Sequence, residues 1–404
     1  MCNGTIMNKL ISFSIPLMLS GILQLMFNAV DIVVVGRFSG SQALAAVGST
    51  TALINVFTNL FIGISLGANV LAARYYAAGK TKEMSETVHT AIALALVSGV
   101  VMAVIGVVFA RGALEIMGTP DDVIAKSTLY MRIYFCGMPF FMMYNYGAAI
   151  LRAVGDTKRP LIFLIVSGVI NAVLNLFLVI GFHLDVAGVG IATVISQLVS
   201  CILVLRCLHH TESSYQLHLA KLRIRSVYLK QIFEVGVPAG IQSTVINISN
   251  AMLQSSVNSF GSIAMAGYTA SNNIFGFLYV SVNSFTQACM SFTSQNYGVK
   301  KLKRMDRVLI DCMILSVVVT LILGSSVYIF GPELLHIYSN QADVIKYGME
   351  IFSYTTVTYF LCGLMDLFPG ALRGMGYSTV PMILSIIGTV GVRIIWIDGL
   401  FPSH

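Results

Sequence analysis

A chain of 404 residues that is 56% hydrophobic and only 10% charged, with a mean hydropathy of +0.83, is not a water-soluble domain, where charged residues make up about 25%. Apolar runs of the roughly 20 residues that cross a bilayer recur along nearly its whole length, so the fold class is an all-α polytopic membrane protein. The net charge of +7 lies in short loops between those runs, as membrane orientation requires, and a nucleic-acid partner is excluded.

In chain order, apolar windows predict spans at 10–35, 43–76, 88–110, 125–150, 160–181 and 186–208. A polar, basic connection at 209–228 follows, too short for a domain, and then spans at 229–257, 264–297, 308–330, 345–372 and 380–400. The first run lacks a strongly basic start and a small-residue exit, so it reads as a retained helix with no cleaved signal. The organisation is thus an amino-terminal lobe at 1–208, a linker at 209–228 and a carboxy-terminal lobe from 229 to 404. With the amino terminus in the cytoplasm, nearly all Lys and Arg fall at inner ends or loops, including Lys80, Lys82, Arg152, Lys158, Arg223, Arg225 and the run Lys300-Lys301-Leu302-Lys303-Arg304. Only Arg37, Arg111, Lys126 and Lys346 fall outside, which sets this orientation by the positive-inside rule.

The chain repeats itself at an offset of 221 positions: Ala43-Leu44-Ala45 meets Ala264-Met265-Ala266, Asp122-Val123-Ile124 meets Asp343-Val344-Ile345, Leu151-Arg152 meets Leu372-Arg373, and Gly155 meets Gly376. Near the start, Pro16 and Asn28 meet Pro238 and Asn250 at an offset of 222. Six spans return the chain to its starting side, so the two repeats are parallel, an arrangement found in transporters that rock two bundles about a central site. The counterpart of the span at 186–208 would lie at about 407–429, past His404, so the last helix of the second repeat is missing from the plan.

Helical phase gathers polar residues into stripes. Gly21, Gln24, Asn28 and Asp31 share one arc of the first span; Ser167, Asn171 and Asn175 share one in the fifth; Thr193, Ser196, Gln197 and Ser200 in the sixth; Ser243, Asn247, Asn250, Gln254 and Asn258 in the seventh; Asn272, Gly276, Asn283 and Gln287 in the eighth. Amides and hydroxyls can simply join helices, but five stripes spread over both halves favour a shared wet cavity. That cavity is expected to be lined by Gln24, Asn171, Thr193, Gln197, Asn247, Asn250, Gln254, Asn283 and Asp366. An acid inside a span is costly and marks function. Asp31 is the leading one, with Leu253 as its repeat counterpart, and Asp366 corresponds to Asn145. Asn28 and Asn175 are expected to hydrogen-bond Asp31 in either charge state, and Pro16, which removes a backbone hydrogen bond in the same helix, is the expected hinge. Arg132 and Arg393 should partner buried acids or backbone carbonyls.

The seven cysteines form no C-x-x-C pair and lie mostly in apolar runs, where a thiol packs as a small hydrophobe. His209, His210 and His218 cluster in the linker without a cysteine, a weak metal spacing. No metal and no cofactor are expected. Loop signatures of hydrolases, zinc proteases and nucleotide-binding enzymes are absent.

Pro16 with Asn28-Ala29-Val30-Asp31 and Val35-Gly36-Arg37 resembles the first-helix signature of the multidrug and toxic compound extrusion (MATE) transporters. Leu151-Arg152-Ala153-Val154-Gly155-Asp156 and Leu372-Arg373-Gly374-Met375-Gly376-Tyr377 resemble the family's motif after the fourth and tenth helices, and Gln295-Asn296-Tyr297-Gly298 its motif after the eighth. The resemblance runs over essentially the whole chain. It implies two lobes forming a V-shaped bundle of the MOP type, a central cavity for amphipathic organic cations, and export driven by inward flow of H⁺ or Na⁺. It also implies a plasma-membrane protein, acting as a monomer. Carried over by position, Asp31 matches the first-helix acid assigned to cation coupling, while Asn175 stands where many relatives have an Asp. The seventh span has no acid beyond Glu234 at its inner edge, which favours the MepA- or DinF-like branches.

Other readings are a flippase for lipid-linked precursors, disfavoured because the stripes are Asn, Gln, Ser and one Asp and not Arg and Lys, and a membrane-embedded enzyme, for which no paired nucleophile and base is found. A major-facilitator transporter is disfavoured because Arg74-Tyr75-Tyr76-Ala77-Ala78-Gly79-Lys80 lacks that family's loop motif.

Overall fold

A computed structural model describes residues 1–258, 260–396 and 399. Among the described residues the chain is helical, with no strand. The helices are α1 (Ile6–Phe38), α2 (Ser41–Ala77), α3 (Thr81–Ile116), α4 (Asp121–Cys136), α5 (Met138–Val154), α6 (Lys158–Leu176) and α7 (Asp185–His209). After the linker come α8 (Ser226–Asn258), α9 (Ser262–Gly298), α10 (Leu302–Ile329), the short α11 (Gly331–His336), α12 (Ala342–Met375), α13 (Thr379–Ser385) and α14 (Val392–Ile395). Among the described residues every predicted span falls on helix; residues 397, 398 and 400 of the last span lie outside them. Seven of the described helical segments are long and apolar enough to cross a membrane by length and hydropathy. The remaining spans are those that a break shortens or that carry amide stripes, such as α8 and α9.

One predicted helix is two. The span at 125–150 is divided at Gly137, between α4 and α5, with proline in the first turn of α5. Pro139 supplies no N–H and restrains the residue before it, so the helix restarts there. Its repeat counterpart, Phe360, lies inside the uninterrupted α12. The break is packed closely: a Cβ at Gly99 of α3 would collide with the backbone of Pro139. Two further segments, Phe177–Gly181 after α6 and Ile386–Gly391 after α13, wind as π-helix where regular α-helix was predicted.

The repeat is visible in the backbone. Gly155 ends α5 and Gly376 ends α12, both left-handed at φ 100 and 98. In each case the glycine N–H bonds the Arg carbonyl, Arg152 or Arg373, and the next N–H reaches back to the Leu carbonyl, Leu151 or Leu372, both at 2.9 Å. This is a Schellman cap, which explains why leucine, arginine and glycine keep their spacing in both halves. Gly40 and Gly261, before α2 and α9, are also left-handed. So is Gly79 after α2, and its counterpart Lys300 takes the same conformation at φ 57, although L-residues avoid it.

The contacts gather the chain into two compact units, one of Leu19–Gly240 and one of Met1–Met18 with the residues from Ile241 onward. Both divisions fall two residues past a proline inside a helix, Pro16 in α1 and Pro238 in α8.

The unit from Leu19 to Gly240 is built around Phe135, Met84, Ile92, Met102, Met131 and Tyr146, all essentially inaccessible. The first half of α8 joins it by a glycine crossing. Cβ atoms at Gly63 and Gly67 of α2 would strike Gly240 and Ile232, and one at Gly236 would strike Ile64, so the two backbones touch directly. The linker is fastened to the same unit. Leu217 is fully buried, Tyr215 packs edge-on to Tyr76 at 6.1 Å, and Arg223 and Arg225 both donate to the Glu86 carboxylate at 2.5 and 3.2 Å.

In the other unit the start of α1 packs Leu10, Phe13 and Leu17 against Phe285, Phe292, Val308 and Leu367. Phe13 meets Phe292 edge-on at 5.6 Å. Arg304 donates to the carbonyls of Met1, Asn3 and Gly4, and Lys301 to that of Cys2, which fixes the first residues to α10. A second core forms around Phe275, Phe352 and Leu335.

Candidate functional site

Two polar clusters stand out inside the helices, one in each unit. In the unit from Leu19 to Gly240, α1 and α6 meet where the Phe27 ring fills the space above Gly168, a position that a Cβ would occupy. One turn beyond Phe27, Asp31 faces Asn175, two turns beyond Gly168. The Asn175 amide donates to the Asp31 carboxylate and also to Asn171 Oδ1 at 3.2 Å. Asn171 reaches Thr193 of α7 at 3.5 Å. Asn175 is fully buried and Asn171 nearly so, at 0% and 5% exposure, while Asp31 is half-buried. Among the described residues the buried Asn175 carbonyl oxygen has no hydrogen-bond partner.

Two tyrosines that the sequence did not single out complete this cluster. Tyr130 and Tyr134, one turn apart on α4, lie within the electrostatic reach of Asp31, and Tyr134 lies beside Gln197 of α7. Four helices therefore converge on one acid. The other members of the predicted stripes divide by where their bonds go. Ser167, Ser196 and Ser200 bond carbonyls of their own helices, those of Leu164, Thr193 and Gln197, and so serve local backbone. Gln24 and Asn28 are exposed, and no hydrogen bond joins Asn28 to Asp31 among the described residues.

In the second unit, Asp366 of α12 is half-buried and lies within the electrostatic reach of Tyr279 of α9. Arg373, two turns further along α12, donates to Gln242 Oε1 of α8 at 2.5 Å, and Gln242 donates to Ser385 Oγ of α13 at 2.8 Å. Asn247, Asn250 and Asn283 are exposed and Gln254 is half-buried. Arg393 departs from expectation: it donates to Asn250 Oδ1 at 2.6 Å and Ser249 Oγ at 3.3 Å, side-chain groups of α8, because the stripe there offers oxygens closer than any acid. Arg132 donates to the Val107 carbonyl at 3.2 Å, a backbone partner of the expected kind.

The linker histidines serve as fasteners. His89 of α3 has its Nδ1 on the Ser85 carbonyl at 2.6 Å and its Nε2 accepts the His218 N–H at 3.1 Å. His209 Nδ1 bonds the Leu217 carbonyl at 2.9 Å. Among the described residues no three His, Cys, Asp or Glu side chains come together as metal ligands. Cys201, Cys289 and Cys312 are buried, Cys2, Cys207 and Cys362 half-buried, and Cys136 is exposed.

An all-helical bundle with several membrane-crossing helices, and a half-buried acid within the spans of each unit, is the architecture of a secondary transporter. The MatE family model matches residues 16–177 and 238–396, and the chain belongs to this family of multidrug efflux transporters. The members are transporters and not enzymes, and they need no cofactor. The chain is 30% identical over 389 residues to the probable multidrug resistance protein YoeA of Bacillus subtilis, covering 95% of this chain and 84% of that one. It is 23% identical to the multidrug export protein MepA of Staphylococcus saprophyticus, over 98% of this chain and 88% of that one. The fold superposes on an outward-facing multidrug resistance MATE transporter of the MOP superfamily with TM-score 0.91, at 20% identity over 98% of this chain and 89% of that one. It matches a MOP superfamily transporter from Pyrococcus furiosus equally, at TM-score 0.91 and 22% identity over 98% of this chain and 89% of that one.

Proposed function

We propose that this protein exports amphipathic organic cations in exchange for protons, with Asp31 as the shared negative site. The observation that carries the reading is the Asn175 amide on the Asp31 carboxylate in a buried polar cluster. A lone carboxylate among neutral amides attracts a cation of either kind, and a proton and a drug cannot both neutralise it. Mutual exclusion of that sort is the minimum an exchanger needs. H⁺ is favoured over Na⁺ because the partner facing the carboxylate is an N–H donor, which occupies the oxygen that a metal ion would take. Hard cations want a shell of several oxygens, about six or more for Ca²⁺. A proton needs only one.

Asn175 suits both states. It donates to the carboxylate, and its unpartnered carbonyl oxygen is available to accept from the carboxylic acid after the amide turns over. Asn171, Thr193 and Gln197 supply the polar wall, and Tyr134, backed by the buried Tyr130, supplies flat aromatic surface for the apolar part of a drug. The charge bias of the loops supports an amino terminus in the cytoplasm, and on this reading the protein acts as a monomer in the plasma membrane. Pro16 lets α1 bend when the charge at Asp31 changes.

The test is ethidium efflux from vesicles containing the purified protein under an imposed proton or sodium gradient. Efflux driven by the proton gradient is expected. Efflux that follows only the sodium gradient would reassign the coupling ion, and failure with both would remove the reading.

A further inference from the structure

In the carboxy-terminal unit the span that carries α13 and α14 lies along α8 through a seam of polar side chains. Gln242 of α8 donates to Ser385 at 2.8 Å, and two turns further along α8 both Ser249 and Asn250 accept from Arg393 of α14. Between these contacts the backbone winds as the π-helix Ile386–Gly391, a distortion that often accompanies a functional site. That segment contains Gly388 and Gly391, where a Cβ would meet nothing closer than 4.0 Å. The chain leading to Arg393 is therefore flanked by open space.

A cation inside a membrane span is costly and is normally paired with an acid or with backbone carbonyls. Among the described residues Arg393 has neither. It belongs to none of their ion pairs, and the acid of this unit, Asp366, is under the influence of Arg373 and not of Arg393. Its neighbours are Ser249 and Asn250 of α8 and the Cys362 thiol of α12. Both hydrogen bonds leave from Nη1, at 2.6 Å to Asn250 Oδ1 and 3.3 Å to Ser249 Oγ. The other edge of the guanidinium, Nε with Nη2, donates to nothing among the described residues. That edge holds two carboxylate oxygens in parallel. The same contact orients Asn250: with its Oδ1 on the guanidinium, the NH₂ of this exposed side chain remains as a further donor. The repeat sharpens the contrast. Asn250 is the counterpart of Asn28, and Leu253, one turn on, stands where the first repeat has Asp31. The helix pair that carries an acid in one half, α1 with α6, carries a base in the other, α8 with α14.

We propose that Arg393 and Asn250 form an anion-binding site in the carboxy-terminal unit, and that it takes a carboxylate carried by the exported molecule. This rests on the export reading above and extends its substrates to organic cations that also bear a carboxylate. The free guanidinium edge receives the two oxygens, and the Asn250 amide donates to one of them. An all-donor site of this kind has nothing to offer a second cation, so it discriminates by charge where Ser and Gln side chains would not.

Rhodamine B and its ethyl ester share one delocalised cation and differ by a single carboxylate, so their binding to the purified full-length protein, followed by fluorescence polarisation, tests the site. Wild type is expected to bind the acid more tightly than the ester, and Arg393→Gln should cut the ratio of acid to ester affinity at least tenfold. A wild type that prefers the ester, or an unchanged ratio in Arg393→Gln, would overturn this inference alone. A wild type that binds neither dye would overturn the export reading and this inference with it. If Arg393→Gln does not fold, Asn250→Asp sets an acid of the same size against the guanidinium. It should lower the ratio as far, and an unchanged ratio would overturn the proposal. Added phosphatidylglycerol that removes the acid preference of wild type would assign the site to a lipid phosphate and overturn the carboxylate.

Discussion

Asn175 on α6 gives its amide hydrogen to Asp31 on α1 and keeps its own carbonyl oxygen buried and unpartnered. A buried polar atom without a partner is worth about 1–3 kcal/mol of instability, so the arrangement is held in a state that a protonated Asp31 would relieve. Asn175→Leu removes both the donor and the idle acceptor. It should leave the fold intact and reduce gradient-driven efflux at least tenfold, while Asp31→Asn should abolish it. Full efflux by Asp31→Asn under a proton gradient would take Asp31 out of the mechanism.

Lys300 sits in the left-handed turn that its counterpart Gly79 occupies without a side chain. A left-handed L-residue costs about 1–2 kcal/mol, of which glycine's greater unfolded freedom takes back roughly half. Lys300→Gly should therefore raise the thermal midpoint of the detergent-purified protein by a few degrees, and Gly79→Ala should lower it. A Lys300→Gly protein no more stable than wild type would show that the turn is unstrained.

At the α2–α8 crossing no side chain fits between Gly67 and Ile232. Gly67→Leu should separate the helices and destabilise the unit by about 3 kcal/mol or more, seen as loss of a monodisperse peak on size exclusion. Gly276 and Gly112, where a Cβ meets nothing within 4 Å, are the controls that should tolerate alanine.

The linker should loosen in acid. His218 is held below its usual value, first by loss of hydration and then by Lys221, His89 and His209. The docked form therefore binds fewer protons than the free one, so docking is strongest above the unperturbed value of about 6.5 and weakens as pH falls through it. Amide exchange in the linker, corrected for intrinsic rate, should be less protected at pH 5.5 than at 7.5. Equal protection at both would count against the fastening.

Spans, repeat and the Asp31–Asn175 pairing are legible in the chain because apolar length, internal offset and helical phase are properties of the sequence itself. Phase places Asn28 as near to Asp31 as Asn175, yet only Asn175 touches it, since contact depends on which helix lies alongside. The break at Gly137 is hidden because Pro139 sits among apolar residues that read as one run. Tyr130, Tyr134 and Tyr279 are hidden for a related reason: in an apolar span a tyrosine counts as lipid-compatible, and its hydroxyl gains meaning only beside an acid. Lys300 was within reach, since its match to Gly79 at the offset of 221 marks a glycine position filled by lysine.

The division of α1 just after Pro16 has a consequence for how the protein is made. Residues Met1–Met18 pack with the part of the chain that starts at Ile241, so they must wait for all of Leu19–Gly240 to be synthesised before those partners exist. Phe13 and Leu17 have no native neighbours until then, and long-range contacts of this kind are slow to form. The start of α1 is thereby among the last elements to settle, and assembly of this unit is an event that follows insertion.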